Sequence, residues 1–463
     1  MMKSVIGRVR KKFFPGKGDS DLDEVYKGGA YAFLYRVGNM LAGYGLFIFI
    51  SRYVGVDALG VFNISQAVLV ILVMVGCIGF NTSIVRFVAE YRVKGWLSLI
   101  RSLYGTIVKY AFAVSLALAV GLYMWAPYLA VNEWEDERLI VPLRITAATI
   151  PFSVLATINV EFIRGLKQVH ISEFFRNLSF QAVAFIGTAI AVLFSADEKD
   201  PVLYYGVGAV LTLIATAYFI RRFFRRESKN EKVSEEAPPV FSFKYHFLIS
   251  VPMILTSFIQ LINGKIDTVM LASFETTYDV GVFTMALKVS VITNFVIGAF
   301  KTIAMPKVSE LFWSHKYTQL NNVMHYSTKV IFLYALPITL LLLIFPEFIL
   351  GLIKEDFIPG ARTLQIFAVT QLIHASAGMV PVFLNMSGNQ AFFTKLVAVS
   401  AVLNIGLNLL LIPKYSLEGA AWATLAGTAF WIVAGALFIY KKYGISTFYN
   451  PFFKKAEDAH GAD

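Results

Sequence analysis

Charge and cysteine are what this chain has least of. Of its 463 residues only 15% are charged and 57% are hydrophobic, whereas a soluble globular domain carries roughly 25% charged residues. The apolar residues come in blocks of about 20, the length a helix needs to cross a hydrocarbon core of about 30 Å. These two features exclude a soluble body and read as an all-α, polytopic membrane protein. The single cysteine, Cys77, excludes an internal disulfide framework and reads as a small buried hydrophobe. There is no GxxxxGK[ST] loop to cradle ATP phosphates, no HExxH pair and no Cys/His cluster. No cofactor or metal is expected, so any drive comes from an ion gradient, the membrane potential or the cargo's own gradient.

What is present is a series of twelve predicted spans: 29–52, 61–85, 105–126, 141–162, 175–195, 202–220, 246–273, 281–304, 327–345, 363–386, 392–412 and 419–440. A basic segment, residues 1–27, precedes them. It has no apolar run followed by a small-residue cleavage site, so it reads as a solvated or leaflet-lying tail, not a cleaved signal. One long polar connector, Arg221 to Pro239, separates spans six and seven; its mixed charge and Pro-Pro pair read as a linker.

The net charge of +11 sorts by side rather than pointing to nucleic acid. With the N-terminus inside, 30 of the 41 Lys and Arg fall in or beside inner segments, seven beside outer loops and four within spans. That asymmetry predicts a cell-membrane protein with both termini cytoplasmic. The longest outer loops, Pro127–Ile140 and Pro346–Arg362, are too short for an extracellular domain. This excludes a membrane enzyme with a catalytic outer loop, and the acidic run Glu133 to Glu137 reads as a solvated turn rather than a metal site.

The two halves echo each other at a nearly constant shift. Gly43 matches Gly264, Gly60-Val61-Phe62 matches Gly281-Val282-Phe283, and Gln168 matches Gln390. An even number of spans per repeat makes the repeats parallel. The expectation is a segment 1–27, an N-lobe 28–226, a linker 227–240, a C-lobe 241–440 and a tail 441–463. Such lobes hold cargo in a central cavity and rock against each other.

Ionisable residues at membrane depth cost about 2.5–3.5 kcal/mol each on insertion scales, so they mark function or pairing. Arg36 lies in the inner half of span one. Lys265 and Asp267 in span seven and Lys288 in span eight lie roughly 9–14 Å below the outer surface. Lys265 and Asp267 are two residues apart, about 200° around a helix, and cannot both face one partner. Three cations against one carboxylate form a site for an anionic group such as a pyrophosphate. Asp267 is left for ion coupling or for charge pairing with a lysine, the structural alternative. Amides are frequent in the spans, among them Asn39, Gln260, Asn263, Asn404 and Asn408. Asn39, Gln260 and Asn263 stand nearest the charges as candidate glycan contacts. Pro252 and Gly264 make span seven bendable.

Some of these residues also carry a family resemblance. Ser51-Arg52-Tyr53-Val54-Gly55, Leu59-Gly60-Val61-Phe62 and Val85-Arg86-Phe87-Val88-Ala89-Glu90-Tyr91 resemble the start of the polysaccharide biosynthesis (oligosaccharide flippase) proteins. These belong to the multidrug/oligosaccharidyl-lipid/polysaccharide exporter superfamily. Lys265-Ile266-Asp267, Val280-Gly281-Val282-Phe283 and Leu384-Asn385-Met386-Ser387-Gly388-Asn389-Gln390 look similar to it as well. The resemblance implies two six-helix bundles about a central cavity and no enzymatic activity. It implies transfer of a polyprenyl-diphosphate-linked oligosaccharide from the inner to the outer leaflet, with glycosyltransferases or a polymerase of the same pathway as partners. In related flippases arginines of the cavity engage the diphosphate; here that role falls to Arg36, Lys265 and Lys288. Sibling multidrug antiporters use a first-lobe carboxylate for cation coupling, and spans one to six have none at mid-depth. The antiporter is the runner-up reading.

Overall fold

The computed structural model describes residues 20–227 and 242–448. The segment up to residue 19, the linker core 228–241 and the tail from 449 lie outside the described residues. Among the described residues all regular structure is helical.

Sixteen helices are used here. In the N-terminal half they are α1 (Ser20–Tyr53), α2 (Val56–Gly76), α3 (Phe80–Val93), α4 (Leu97–Tyr128), α5 (Ile140–Gly165), α6 (Val169–Phe174), α7 (Phe180–Val192) and α8 (Asp200–Glu227). In the C-terminal half they are α9 (Phe243–Ala272), α10 (Thr277–Ser290), α11 (Asn294–Trp313), α12 (Tyr317–Ile344), α13 (Pro346–Ile353), α14 (Ala361–Ser376), α15 (Val380–Met386) and α16 (Gln390–Tyr443). Every predicted span falls on one helix or on a broken pair. Among the described residues seven helices are long and apolar enough to cross a membrane, or eight if the pair bent by 43° around residue 378 is one span.

The breaks have local causes. Ile78 and Gly79 take left-handed backbone between α2 and α3. Ser416 (φ 50°, ψ −129°) turns the 54-residue α16 back on itself three residues after Pro413, which separates the two spans predicted there. α10 starts on a capping box: Asp279 N–H donates to Thr276 Oγ1, and Thr276 N–H donates to the Asp279 carboxylate.

Each half has a core of its own. Phe80, Phe87, Ile100 and Phe162 are buried in the N-terminal half, and Met324, Phe383, Ile432 and Ile439 in the C-terminal half. A third core is shared, with Leu46, Ile50 and Leu59 meeting Phe283, Leu364 and Phe367. It lies toward the end that carries the 129–139 turn, called here the Arg138 end.

There α2 crosses α10. A Cβ on Gly60 would sit 1.7 Å from the Thr277 carbonyl oxygen, and one on Gly281 would sit 2.4 Å from that of Val56. Only glycine permits backbones this close. The contact is reciprocal, since both pairs are related by the +221 shift. Asn63 Nδ2 donates to Thr284 Oγ1 at 3.0 Å, again 221 positions apart. At the opposite, linker end, α9 leans on the N-terminal half. Ser83 and Ser250 hydroxyls are 2.6 Å apart, Tyr91 Oη and His246 Nε2 are 2.6 Å apart, and Phe243 stacks on Tyr110.

Candidate functional site

Lys288 stands near the last turn of α10 and reaches across to α1. Its Nζ is 4.3 Å from the ring centre of Phe47 and 5.3 Å from that of Tyr44. Tyr44 also donates its hydroxyl hydrogen to the Lys288 carbonyl oxygen. An ammonium over an aromatic face is held by the ring quadrupole, by about 0.5–2 kcal/mol depending on exposure. Gly43 makes room for it: a Cβ there would lie 3.4 Å from Lys288 Nζ and 2.9 Å from Gln181 Oε1. That Gln181 oxygen is buried without a hydrogen-bond partner among the described residues.

Lys265 is partly buried on α9, close enough for its charge to act on Lys288. Among the described residues no carboxylate lies within ion-pair distance of either lysine. Two ammonium groups therefore share one region without a counter-charge beside them, and Lys288 has aromatic rings in its place.

Asp267 is not their clasp. Its side chain is 7% exposed and faces α16. Asn408 Nδ2 donates to Oδ1 at 2.6 Å, and Thr424 Oγ1 donates to Oδ2 at 2.7 Å. Asn408 also donates to Asn404 Oδ1 at 3.2 Å. The expected lysine pairing is replaced by an amide and a hydroxyl from the two legs of α16. The reason is the helical period: turning Lys265 away from α16 turns Asp267 toward it. The result is a cluster of hard oxygen atoms: the carboxylate, Asn404 Oδ1, Thr424 Oγ1 and Asn408 Oδ1. The last is buried without a partner among the described residues. Such a set suits a small monovalent cation or a proton. No group of three or more His, Cys, Asp or Glu that could hold a metal occurs among the described residues.

The side chains of Arg36, Gln260 and Asn263 lie outside the described residues. Asn39 is partly buried on α1, one turn before Gly43.

Sequence reasoning passed over a second buried ionic group near the linker end. Glu161 and Glu173 are 8% and 3% exposed. Arg176 donates to Glu161, and Arg164 approaches the same carboxylate at 3.7 Å. Asn177 donates to Glu173 at 2.8 Å. Arg176 sits in a π-helical turn, Phe175–Ser179, whose extra residue brings it onto α5. Glu161 lies four residues from the end of α5, which is why a search at mid-depth did not find it.

The family model described as polysaccharide biosynthesis protein matches residues 25–312. The chain belongs to that family. The MatE model matches residues 252–410. An uncharacterized membrane protein of Methanocaldococcus jannaschii is 23% identical over 380 residues, 77% of this chain and 72% of its own length. Agl15 of Haloferax volcanii, a probable low-salt glycan biosynthesis flippase, is 29% identical over 162 residues, 34% of each chain. The solved structure of the lipid II flippase MurJ in an inward closed conformation has a TM-score of 0.68 at 14% identity, covering 89% of this chain and 87% of that one. At that identity the likeness shows the fold. This member of the polysaccharide biosynthesis protein family is thus an integral-membrane transporter of the multidrug/oligosaccharidyl-lipid/polysaccharide exporter superfamily, not an enzyme.

Proposed function

We propose that the protein is a flippase that moves a polyprenyl-diphosphate-linked oligosaccharide from the cytoplasmic to the outer leaflet of the cell membrane by alternating access. The observation that carries this reading is the pair Lys265 and Lys288, two ammonium groups at membrane depth with no carboxylate beside them among the described residues. An uncompensated cation there is costly unless a ligand supplies the negative charge. A diphosphate does so, and exchanging Lys288's aromatic contacts for charge-assisted hydrogen bonds is favourable. Arg36 is the third cation of the proposed site, and Asn39, Gln260 and Asn263 are its proposed glycan contacts. The lobes are taken as 28–226 and 241–440, joined by the linker 227–240. Both termini are placed in the cytoplasm on the charge asymmetry, and pathway glycosyltransferases or a polymerase are proposed as partners.

The test is delivery of lipid-linked glycan to the outer leaflet in cells expressing Lys265→Ala or Lys288→Ala at normal levels. Each substitution is expected to lower it at least tenfold, the loss of about 1.5–3 kcal/mol for a charge-assisted bond. Normal surface glycan in both variants would overturn the reading.

A second reading, a cation-coupled antiporter of the same fold, is favoured by one observation. The oxygen cluster around Asp267 is suited to a coupling ion, and Asp267, Asn404 and Asn408 lie within the stretch matched by the MatE model. Coupling at Asp267 is also compatible with the flippase. The two readings part at the lysines, which a cationic drug would not need.

A further inference from the structure

The Arg138 end carries an arrangement that cargo binding does not explain. Arg138 follows the short loop after α4, and all three nitrogens of its guanidinium donate to partners. Nε and Nη2 donate to the two oxygens of Asp136, both at 2.9 Å. Nη1 donates to Glu198 at 3.0 Å, and Nη2 reaches Asp57 at 3.1 Å. All three carboxylates belong to the N-terminal half.

Among the described residues one group from the C-terminal half enters the cluster, the hydroxyl of Thr277. Thr277 Oγ1 accepts from Arg138 Nη2 at 2.9 Å and donates to Asp136 Oδ2 at 2.9 Å. Thr277 is the residue whose carbonyl oxygen touches Gly60. The hub therefore grips the C-terminal half at the helix crossing itself.

The other bonds across this seam have the same character. Trp134 Nε1 donates to Ser273 Oγ at 3.2 Å, and Asn63 to Thr284 Oγ1. Arg52 donates to the Leu352 and Ile353 carbonyl oxygens, both at 2.8 Å. Among the described residues the C-terminal half offers these bonds only neutral hydroxyl or carbonyl oxygens, and Thr277 both accepts from Arg138 and donates to Asp136. Among the described residues no ion pair crosses between the halves.

We infer that Arg138, anchored by Asp57, Asp136 and Glu198 and gripping Thr277, is a reversible latch that holds the outer gate shut. The anchor is ionic and stays satisfied when the seam parts. The grip sets Arg138 and Asp136, which answer each other's charge within one half, on a neutral hydroxyl, and water takes that hydroxyl's place when the seam parts. A cross-seam ion pair would have pulled opposite charges apart on opening; a grip on a neutral oxygen does not, and it lets the gate cycle. The inference requires a transporter that alternates access, and it rests on the proposed orientation for the word outer. It does not depend on the cargo.

The test uses the full chain in nanodiscs with Cys77→Ala and spin labels at Leu193→Cys and Phe348→Cys, one exposed position on each half. The parent is expected to give one short distance population. Thr277→Val, which removes only the cross-seam hydroxyl, should raise a longer population roughly two- to fivefold. Arg138→Gln should raise it roughly tenfold. Glu198→Gln, which loosens the anchor without touching the seam, should leave the parent distribution. Unchanged distances in both Thr277→Val and Arg138→Gln would overturn the latch, as would Glu198→Gln opening as far as Thr277→Val. Reaction of Leu193→Cys with an impermeant thiol reagent from the cytoplasmic side only would overturn the outer assignment. The glycan assay on the lysine variants fails or succeeds independently of these distances.

Discussion

Asp267 holds its carboxylate between the two legs of α16, with an amide on one oxygen and a hydroxyl on the other. Two neutral donors do not cancel a buried charge, so a cation or a proton completes the group. A cation that binds only the folded protein raises its stability by mass action. Replacing choline by sodium is therefore expected to raise the melting temperature of the parent in detergent by several degrees, and to leave Asp267→Asn unmoved. An equal rise in Asp267→Asn would remove Asp267 from cation binding. Lys288 shows the opposite solution to the same cost. Its ammonium lies on Phe47 and Tyr44, a cradle an anion can empty.

α2 and α10 are shaped by what their crossing excludes. The 1.7 Å separation from the Thr277 oxygen leaves no space for any Cβ at Gly60. Gly60→Ala must push the helices apart, at about 1–3 kcal/mol. The expected outcome is a lower melting temperature and a larger long-distance population for the same spin pair. Gly105→Ala is the control, since nothing lies within 4 Å of a Cβ there; it should be neutral or slightly stabilising. If the two variants melt alike, the crossing is not the tight contact described. The +221 repeat was legible in the sequence as Gly60-Val61-Phe62 and Gly281-Val282-Phe283. That the two copies touch each other was not, because a repeat says what is alike and not what is adjacent.

Among the described residues every hydrogen bond that joins the halves at either end has at least one neutral partner, and the ion pairs stay within a half. This sets its response to pH. Burial tends to raise the Asp136 carboxyl, but the hydrogen bonds from Arg138 and Thr277 outweigh it and hold it below the usual carboxylate range. The share from Arg138 stays when the seam parts and the share from Thr277 is lost, so closure is favoured above the ordinary value, about 3.9, and loses that contribution as pH falls through the depressed one. Glu198 is shifted up, by burial first, against the attraction of Arg138. It takes up its proton before Asp136, and because its bond from Arg138 lies within the N-terminal half that step leaves the seam as it was. Asp57 is the third carboxylate facing Arg138. The closed population is therefore expected to stay level from about pH 8 to about pH 5 and to fall only below about pH 4. Distance measurements across that range check it, and a fall near pH 6 would contradict it.

Hydropathy, charge asymmetry and the helical period are local properties, and they determined a great deal. They placed the apolar segments and the membrane class, and they turned Lys265 and Asp267 to different faces from their two-residue spacing alone; the family came from short motifs such as Leu59-Gly60-Val61-Phe62. Partners are not local. Asp267 meets residues 141 and 157 positions away, and nothing in the sequence distinguishes Asn408 from the other amides in spans. The acidic run before Arg138 read as a solvated turn because its meaning depends on Thr277, brought there by a crossing of helices from opposite halves. Only tertiary packing decided which charges are answered by opposite charges, which by rings, and which await a ligand.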